Sequence, residues 1–302
     1  MSNNNEKNKR KPPEKKRFED LTLMDDYMFA HVMMDPKNMK PFLECVLGFK
    51  ISRIEFFAKQ KSEKEGYTSK GVVFDLYVID KNGVIYNVEV QTTDKKNLAK
   101  RMRYYQSVID ISTTPEGKDY KYLKKSYIVF VCGYDPFGCD QYIYTFENAC
   151  REVASLKLGD EAYKVVLNTK GTKGEIPDEL KETIVYLDKG EVTGDFSKSL
   201  DDAVNRVKAS EERRREYMLI SVRENELREE GREAGLQEGL QEGLQEGILG
   251  SVRLLLSFNL PKDKIIESIS RQFSLALEDA EGYFAKASEG EGACQAEEAP
   301  QE

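Results

Sequence analysis

Residues 72–91 run VVFDLYVIDKNGVIYNVEVQ. Two runs rich in β-branched and aromatic residues flank Lys81-Asn82-Gly83, and Asn-Gly between such runs is a strong hairpin signal. A three-residue turn with Gly83 in the left-handed conformation sets Asp80 against Val84. Counting back along both strands, Asp75 then lies directly opposite Glu89. Side chains alternate between faces, so Gln91 shares the face of Glu89. The other face collects Phe74, Leu76, Val78, Tyr86, Val88 and Val90, a continuous apolar surface for a core. A two-residue turn at Asn82-Gly83 would shift the register by one and send the two carboxylates to opposite faces.

Two carboxylates meeting across a strand pair repel each other. A divalent cation that prefers hard oxygen ligands removes that cost. Mg²⁺ takes one or two carboxylates and keeps several waters, which leaves room for a phosphate oxygen. Such an ion polarises a phosphodiester and lowers the pKa of a bound water. Gln91, one step beyond on the same face, can orient that water or a phosphate by hydrogen bonding. It cannot supply the positive charge that a lysine would. The spacing D-x13-E-x-Q is loose, and it fits equally a solvated hairpin face that carries an Asp, a Glu and a Gln.

The bulk composition narrows the chemistry. His31 is the only histidine, so a zinc site with several His ligands is excluded and any His-based triad would have to use it. Its setting in DDYMFAHVM, an amphipathic helix pattern, reads as a packed or surface histidine. The five cysteines include no CxxC pair and are odd in number, which reads as reduced structural thiols. Chemistry must therefore rest on carboxylates. The net charge of −8, from 46 basic and 54 acidic residues, argues against a protein that coats nucleic acid nonspecifically. No apolar run approaches the roughly 18 residues of a membrane span, and no apolar stretch follows the basic residues of the N-terminus as in a secretory signal. The expected location is the cytoplasm.

The elements around the hairpin imply an α/β domain. Helical patterning begins near Leu21, with Thr22 as the expected N-cap, Asp25 in the first turn, and Met24, Met28, Phe29 and Val32 as the apolar stripe. A second helix ends at Gly48. ISRIEFFAKQ reads as a strand and KSEKEGYTSKG as a polar connection. After the hairpin come a helix over Lys96–Ile111, a buried strand at 126–132, the strand-like QYIYTF and KVVLN, and a helix from 178. This order predicts a mixed sheet flanked by helices.

Several of these segments, in the same order, carry a resemblance. GVVFDLYVIDKNGVIYNVEVQTTDKKNLAKRMRYYQSVID resembles the Rpn-type recombination-promoting nucleases, also called PD-(D/E)XK nuclease family transposases. LMDDYMFAHVM and FLECVLGFKI are similar to the family's opening helices, and YKYLKKSYIVFVCGYDPFG and YIYTFEN to its later core. The resemblance covers Leu21 to Phe196. It implies a restriction-endonuclease-like core and DNA cleavage dependent on Mg²⁺ or Mn²⁺. Asp75 falls on the family's acidic strand residue, Glu89 on the E of its E-x-Q form, and Gln91 on the position that is lysine in the wider superfamily. Asp26 is implied as a further metal ligand from the first helix, with Asp25 as an adjacent competitor. The pattern departs in one place: a basic residue often precedes the strand aspartate, whereas Val72, Val73 and Phe74 stand here.

Past Gln91 lie Lys95, Lys96, Lys100, Arg101 and Arg103. With Leu98, Met102, Tyr105 and Ile109 as the buried stripe, these cations are expected to fan over exposed flanks and form a DNA-backbone grip or an ordinary solvated surface. The expected domains are a disordered basic arm (1–20), the nuclease-like domain (21–196), a helical region (197–285) and a disordered acidic tail (286–302). Within the helical region LQEGLQEGLQEG occupies 236–247, and Gly231, Gly235, Gly239, Gly243 and Gly247 recur every four residues. Each glycine costs roughly 0.8–1 kcal/mol of helix propensity relative to Ala. Self-association, with Leu236, Leu240 and Leu244 packed beside the glycines, would stabilise the segment; a frayed helix or variable spacer is the alternative. For the whole chain, a DNA endonuclease stands against a catalytically weak DNA-binding or assembly protein that keeps the nuclease fold.

Overall fold

The hairpin forms in the register that its turn dictates. A computed structural model describes residues 16–63 and 72–294, with three antiparallel strands, β1 (Ile54–Glu63), β2 (Val72–Asp80) and β3 (Ile85–Gln91). Leu76 pairs with Val88 and Val78 with Tyr86. The Gly83 N–H donates to the Asp80 carbonyl at 2.9 Å, and Gly83 has φ +78°, a conformation that costs a glycine little. The Asp80 carboxylate adds its own brace, accepting from the N–H groups of Asn82 and Val84. The expected three-residue turn is therefore the one adopted, and the two-residue alternative is not.

Three more strands complete a six-stranded mixed sheet: β4 (Ser126–Cys132), β5 (Ile143–Phe146) and β6 (Ala162–Asn168), in the order β1-β2-β3-β4-β6-β5. β3, β4 and β6 are parallel neighbours, while β5 closes the far edge antiparallel to β6. Every residue of β4 is buried, as expected for a central strand covered on both faces. One cover consists of α1 (Asp26–Met33), α2 (Pro36–Leu47), α4 (Asp178–Lys189) and α5 (Asp195–Lys208), packed on Leu76, Val78, Tyr86, Val88 and Val90. The predicted apolar face is thus in the core at every position except Phe74, whose side chain lies outside the described residues. The other cover is α3 (Leu98–Thr113), which packs Leu98, Met102, Tyr105 and Ile109 on Tyr77, Ile85, Ile128 and Phe130.

Local chemistry moves several boundaries. The Asp25 carboxylate accepts from the N–H and hydroxyl of Thr22 and Asp25 takes the N-cap position of α1, so Thr22 is not the cap. Gly48 ends α2 in the left-handed conformation, as expected. Lys96 adopts a positive φ of 55°, which delays the start of α3 to Leu98. Strand β1 extends to Glu63, taking in the first residues of the expected polar connection, of which 64–71 lie outside the described residues. Residues 1–15 of the basic arm also lie outside them. Within 16–20, Phe18 is buried, Lys16 pairs with Asp25, and the Tyr217 hydroxyl donates to the Lys16 carbonyl. His31 is the packed histidine expected, between the Tyr27 carbonyl and Glu216.

The chain divides into two compact units, Met1–Leu219 and Ile220–Glu302. The expected boundary at Phe196 falls inside α5, whose Leu200, Ala203 and Val204 are buried in the core of the first unit. The boundary instead lies within α6 (Glu211–Ser257), a single helix that contains all of the glycine repeats. In the second unit Ile248 and Val252 of α6 form a small core with α7 (Lys262–Phe273) and α8 (Leu277–Cys294). The acidic segment expected to be disordered from 286 is helical through Cys294, and 295–302 lie outside the described residues. Among the described residues no helix is long and apolar enough to cross a membrane.

Candidate active site

Asp75 and Glu89 meet on the α3 side of the sheet. The ladder that pairs Leu76 with Val88 brings the next positions together, and the Asp75 N–H donates to Glu89 Oε1 at 3.0 Å. The Val90 N–H approaches Asp75 Oδ2 at 3.4 Å, and the Asn87 amide donates to Glu89 Oε1 at 3.3 Å. Glu89 and Asn87 are fully buried. The solvated hairpin face is therefore not what forms: a carboxylate this deep exists because its surroundings are built for it.

Burial pushes the Glu89 carboxyl well above the ordinary range, and the neighbouring Asp75 charge pushes it further. Asp75 is likewise raised, to about 6, first by burial and then by Asp26. Hydrogen bonds and Arg101 pull both downward without cancelling the effect. Of the two competing N-terminal aspartates, Asp25 is occupied by Lys16 and Thr22, while Asp26 is the one whose charge acts on Asp75. Among the described residues no three His, Cys, Asp or Glu side chains stand together as a metal site, and Asp26 acts on Asp75 through its charge. The two acids that the hairpin brings directly together are Asp75 and Glu89.

Gln91 is held on every side. Its Nε2 donates to the Thr93 carbonyl at 3.0 Å and to the Tyr134 hydroxyl at 2.7 Å, and its Oε1 accepts from Arg101 Nη1 at 3.2 Å. Arg101 is the residue that sequence reasoning misplaced. Instead of fanning into solvent with its neighbours, it turns inward and donates through Nη2 to Glu89 Oε2 at 2.7 Å and through Nε to the Tyr105 hydroxyl at 2.9 Å. The helical spacing held the signal: Arg101 stands three residues after Leu98 and four before Tyr105, within the buried stripe. Lys95, Lys96, Lys100 and Arg103 are exposed as expected, Lys95 and Lys96 lying just ahead of α3.

The donor set fits a hard divalent cation. It offers two adjoining carboxyl groups whose ionised forms burial and neighbouring acidic charge disfavour and, beside Glu89, the buried Asn87 Oδ1, which has no hydrogen-bond partner. A mixed sheet clasped by helices, with paired acids facing each other across an antiparallel hairpin, is the architecture of the PD-(D/E)XK nucleases. Residues 23–152 match the model of the PD-(D/E)XK nuclease family transposases. The match takes in β1 to β5 and the candidate site, while β6, α4 and α5 extend the same fold beyond it. No curated protein and no solved structure matches the chain.

Proposed function

We propose that the first unit is a metal-dependent DNA endonuclease that hydrolyses phosphodiester bonds in the cytoplasm, with Asp75 and Glu89 as the ligands of Mg²⁺ or Mn²⁺. The observation that carries this reading is the adjoining Asp75–Glu89 pair, in which burial and neighbouring acidic charge raise both carboxyls, so that holding them ionised costs the fold stability that a cation would restore. A divalent ion held there would polarise the phosphodiester and activate a water. Glu89 is aimed by the Asp75 N–H and the Asn87 amide, so its oxygens are fixed before metal binds. Asp26 adds negative charge from the start of α1 and strengthens the attraction for the ion. Gln91, with its amide fully engaged, acts by holding its neighbours. The exposed Lys95, Lys96, Lys100 and Arg103 grip the DNA backbone without reading its sequence.

A second reading, a catalytically weak DNA-binding or assembly protein that retains the fold, is favoured by one feature: an arginine already occupies Glu89. Cleavage of supercoiled and linear DNA in Mg²⁺, Mn²⁺ or EDTA separates the two. Metal-dependent nicking that disappears in Asp75→Ala supports the enzyme; retained DNA affinity without cleavage under either metal supports the alternative.

The second unit is proposed to mediate self-association through α6. A Cβ added at any of Gly231, Gly235, Gly239, Gly243 or Gly247 meets nothing within 4 Å, and Leu236, Leu240 and Leu244 are exposed. Sedimentation of the full chain at increasing concentration tests this, and a mass that stays monomeric throughout contradicts it.

A further inference from the structure

Arg101 makes three polar contacts, and only one of them is with an anion. Nη2 meets Glu89, whereas Nη1 meets the Gln91 amide and Nε meets the Tyr105 hydroxyl. The guanidinium also lies over two aromatic rings, 5.0 Å from the centroid of Tyr105 and 5.2 Å from that of Phe130. Such contacts favour a cation whether or not it is ion-paired. Gln91 is itself fixed by the Thr93 carbonyl and the Tyr134 hydroxyl, so the anchor for Nη1 is rigid. Breaking the bond to Glu89 would leave the guanidinium held at two corners and stacked. A lysine, with a single point of charge, could not be held in this way.

The carboxylate is divided in the same manner. Glu89 Oε1 is taken by the Asp75 N–H and the Asn87 amide, and Oε2 by Arg101. A divalent ion that binds Glu89 therefore competes with the guanidinium for the outer oxygen, because two cations cannot share it at contact distance without strong repulsion. The Arg101 side chain is 30% exposed, so the group is not sealed in.

We propose that Arg101 is a displaceable counter-cation: it neutralises Glu89 until a divalent ion takes that carboxylate, and its freed Nη2 then binds a DNA phosphate while Gln91 and Tyr105 hold the rest of the guanidinium in place. The proposal rests on Asp75 and Glu89 being metal ligands. It assigns the E-x-Q glutamine a definite task, the anchoring of the arginine. It also makes metal and phosphate binding cooperative, since each phosphate contact made by Arg101 removes a competitor from Glu89.

The test is calorimetric titration of the full metal-free chain with MgCl₂, without DNA, for wild type, Arg101→Gln, Tyr105→Phe and Asp75→Ala. Losing a charge-assisted competitor should tighten Mg²⁺ binding by about tenfold in Arg101→Gln. Tyr105→Phe removes one anchor, keeps the charge and should shift affinity in the same direction by less. Binding of a phosphorothioate-protected duplex by Arg101→Gln should weaken in Mg²⁺ and stay unchanged in EDTA, a pattern that a merely structural role would not produce. Mg²⁺ affinity equal to or below wild type in a folded Arg101→Gln overturns the proposal and leaves the metal site standing. If Arg101→Gln does not fold, unchanged affinity in Tyr105→Phe does the same. Heats of wild type indistinguishable from those of Asp75→Ala overturn the metal reading itself, and the counter-cation with it.

Discussion

Replacing Asp75 with Asn should make the protein more stable. Burial and the nearby Asp26 charge raise the Asp75 carboxyl from 3.8 to about 6. Between those two values the folded chain holds a proton that the unfolded chain has released. Stability from this group is therefore complete below pH 3.8 and is lost as pH rises through 6. At about 1.4 kcal/mol per pKa unit, the loss at pH 8 is at most roughly 3 kcal/mol. Asp75 shares its proton balance with Glu89 and is partly open to water, so the recoverable part is about 1–2 kcal/mol. Asparagine keeps an oxygen for the Val90 N–H and carries no charge. In EDTA at pH 8 the first unit should then melt about 2–8 °C higher in Asp75→Asn than in wild type. The difference should shrink toward zero near pH 4. Added Mg²⁺ should raise the wild-type midpoint and leave that of the variant unmoved. Urea or thermal unfolding at pH 8, 6 and 4 measures all of this. A variant less stable than wild type at pH 8, or a difference that does not depend on pH, would mean that the Asp75 charge does not destabilise the fold.

Three other perturbations have opposite characters. Burial raises the Glu44 carboxyl, but Lys40, the Ile51 N–H and Lys50 outweigh it and hold the group at about 2. Its stabilisation is present above pH 4.5 and is lost as pH falls through 2, so Glu44→Gln should cost about 1–2 kcal/mol at pH 7 and about a quarter of that at pH 2.5, read from urea midpoints. Gly83→Ala should cost about 1–2 kcal/mol through backbone strain alone, because an added Cβ meets only Lys124 Nζ at 3.7 Å; Gly83→Asn should recover much of the loss. Ala at Gly235 and Gly239 meets no neighbour and should raise the helicity of α6 by about 1 kcal/mol per site in circular dichroism melts, while association weakens if the bare glycine row is where a second helix lies.

The hairpin was legible because two independent signals, Asn-Gly and the apolar alternation, agree on one register. The mixed sheet followed from the order of the elements, and Gly48 ended its helix as read. Arg101 escaped because a cluster of five cations reads as one surface, whereas its place between Leu98 and Tyr105 directs it inward. The inward turn depends on contacts with β3 and Phe130 that no local pattern contains. The late start of α3 reflects a single left-handed lysine, which propensity does not foresee. The extent of the first unit is hidden in the sequence for a related reason. α5 is highly charged along its solvent side, yet Leu200, Ala203 and Val204 give it a buried stripe, and composition averaged over the helix conceals that stripe.

Asp75→Asn also gives the most direct test of the central claim, that the Asp75–Glu89 pair is a metal-dependent nuclease centre, because the substitution should remove the site without harming the fold. The measurement is cleavage of an end-labelled DNA duplex by wild type and Asp75→Asn, prepared in parallel and assayed in Mg²⁺, Mn²⁺ and EDTA. Wild type should cleave in either metal and not in EDTA, and the variant should not cleave even though it melts at the same or a higher temperature. Cleavage by Asp75→Asn at the wild-type rate, or a folded wild type that cuts nothing in either metal, would contradict that claim.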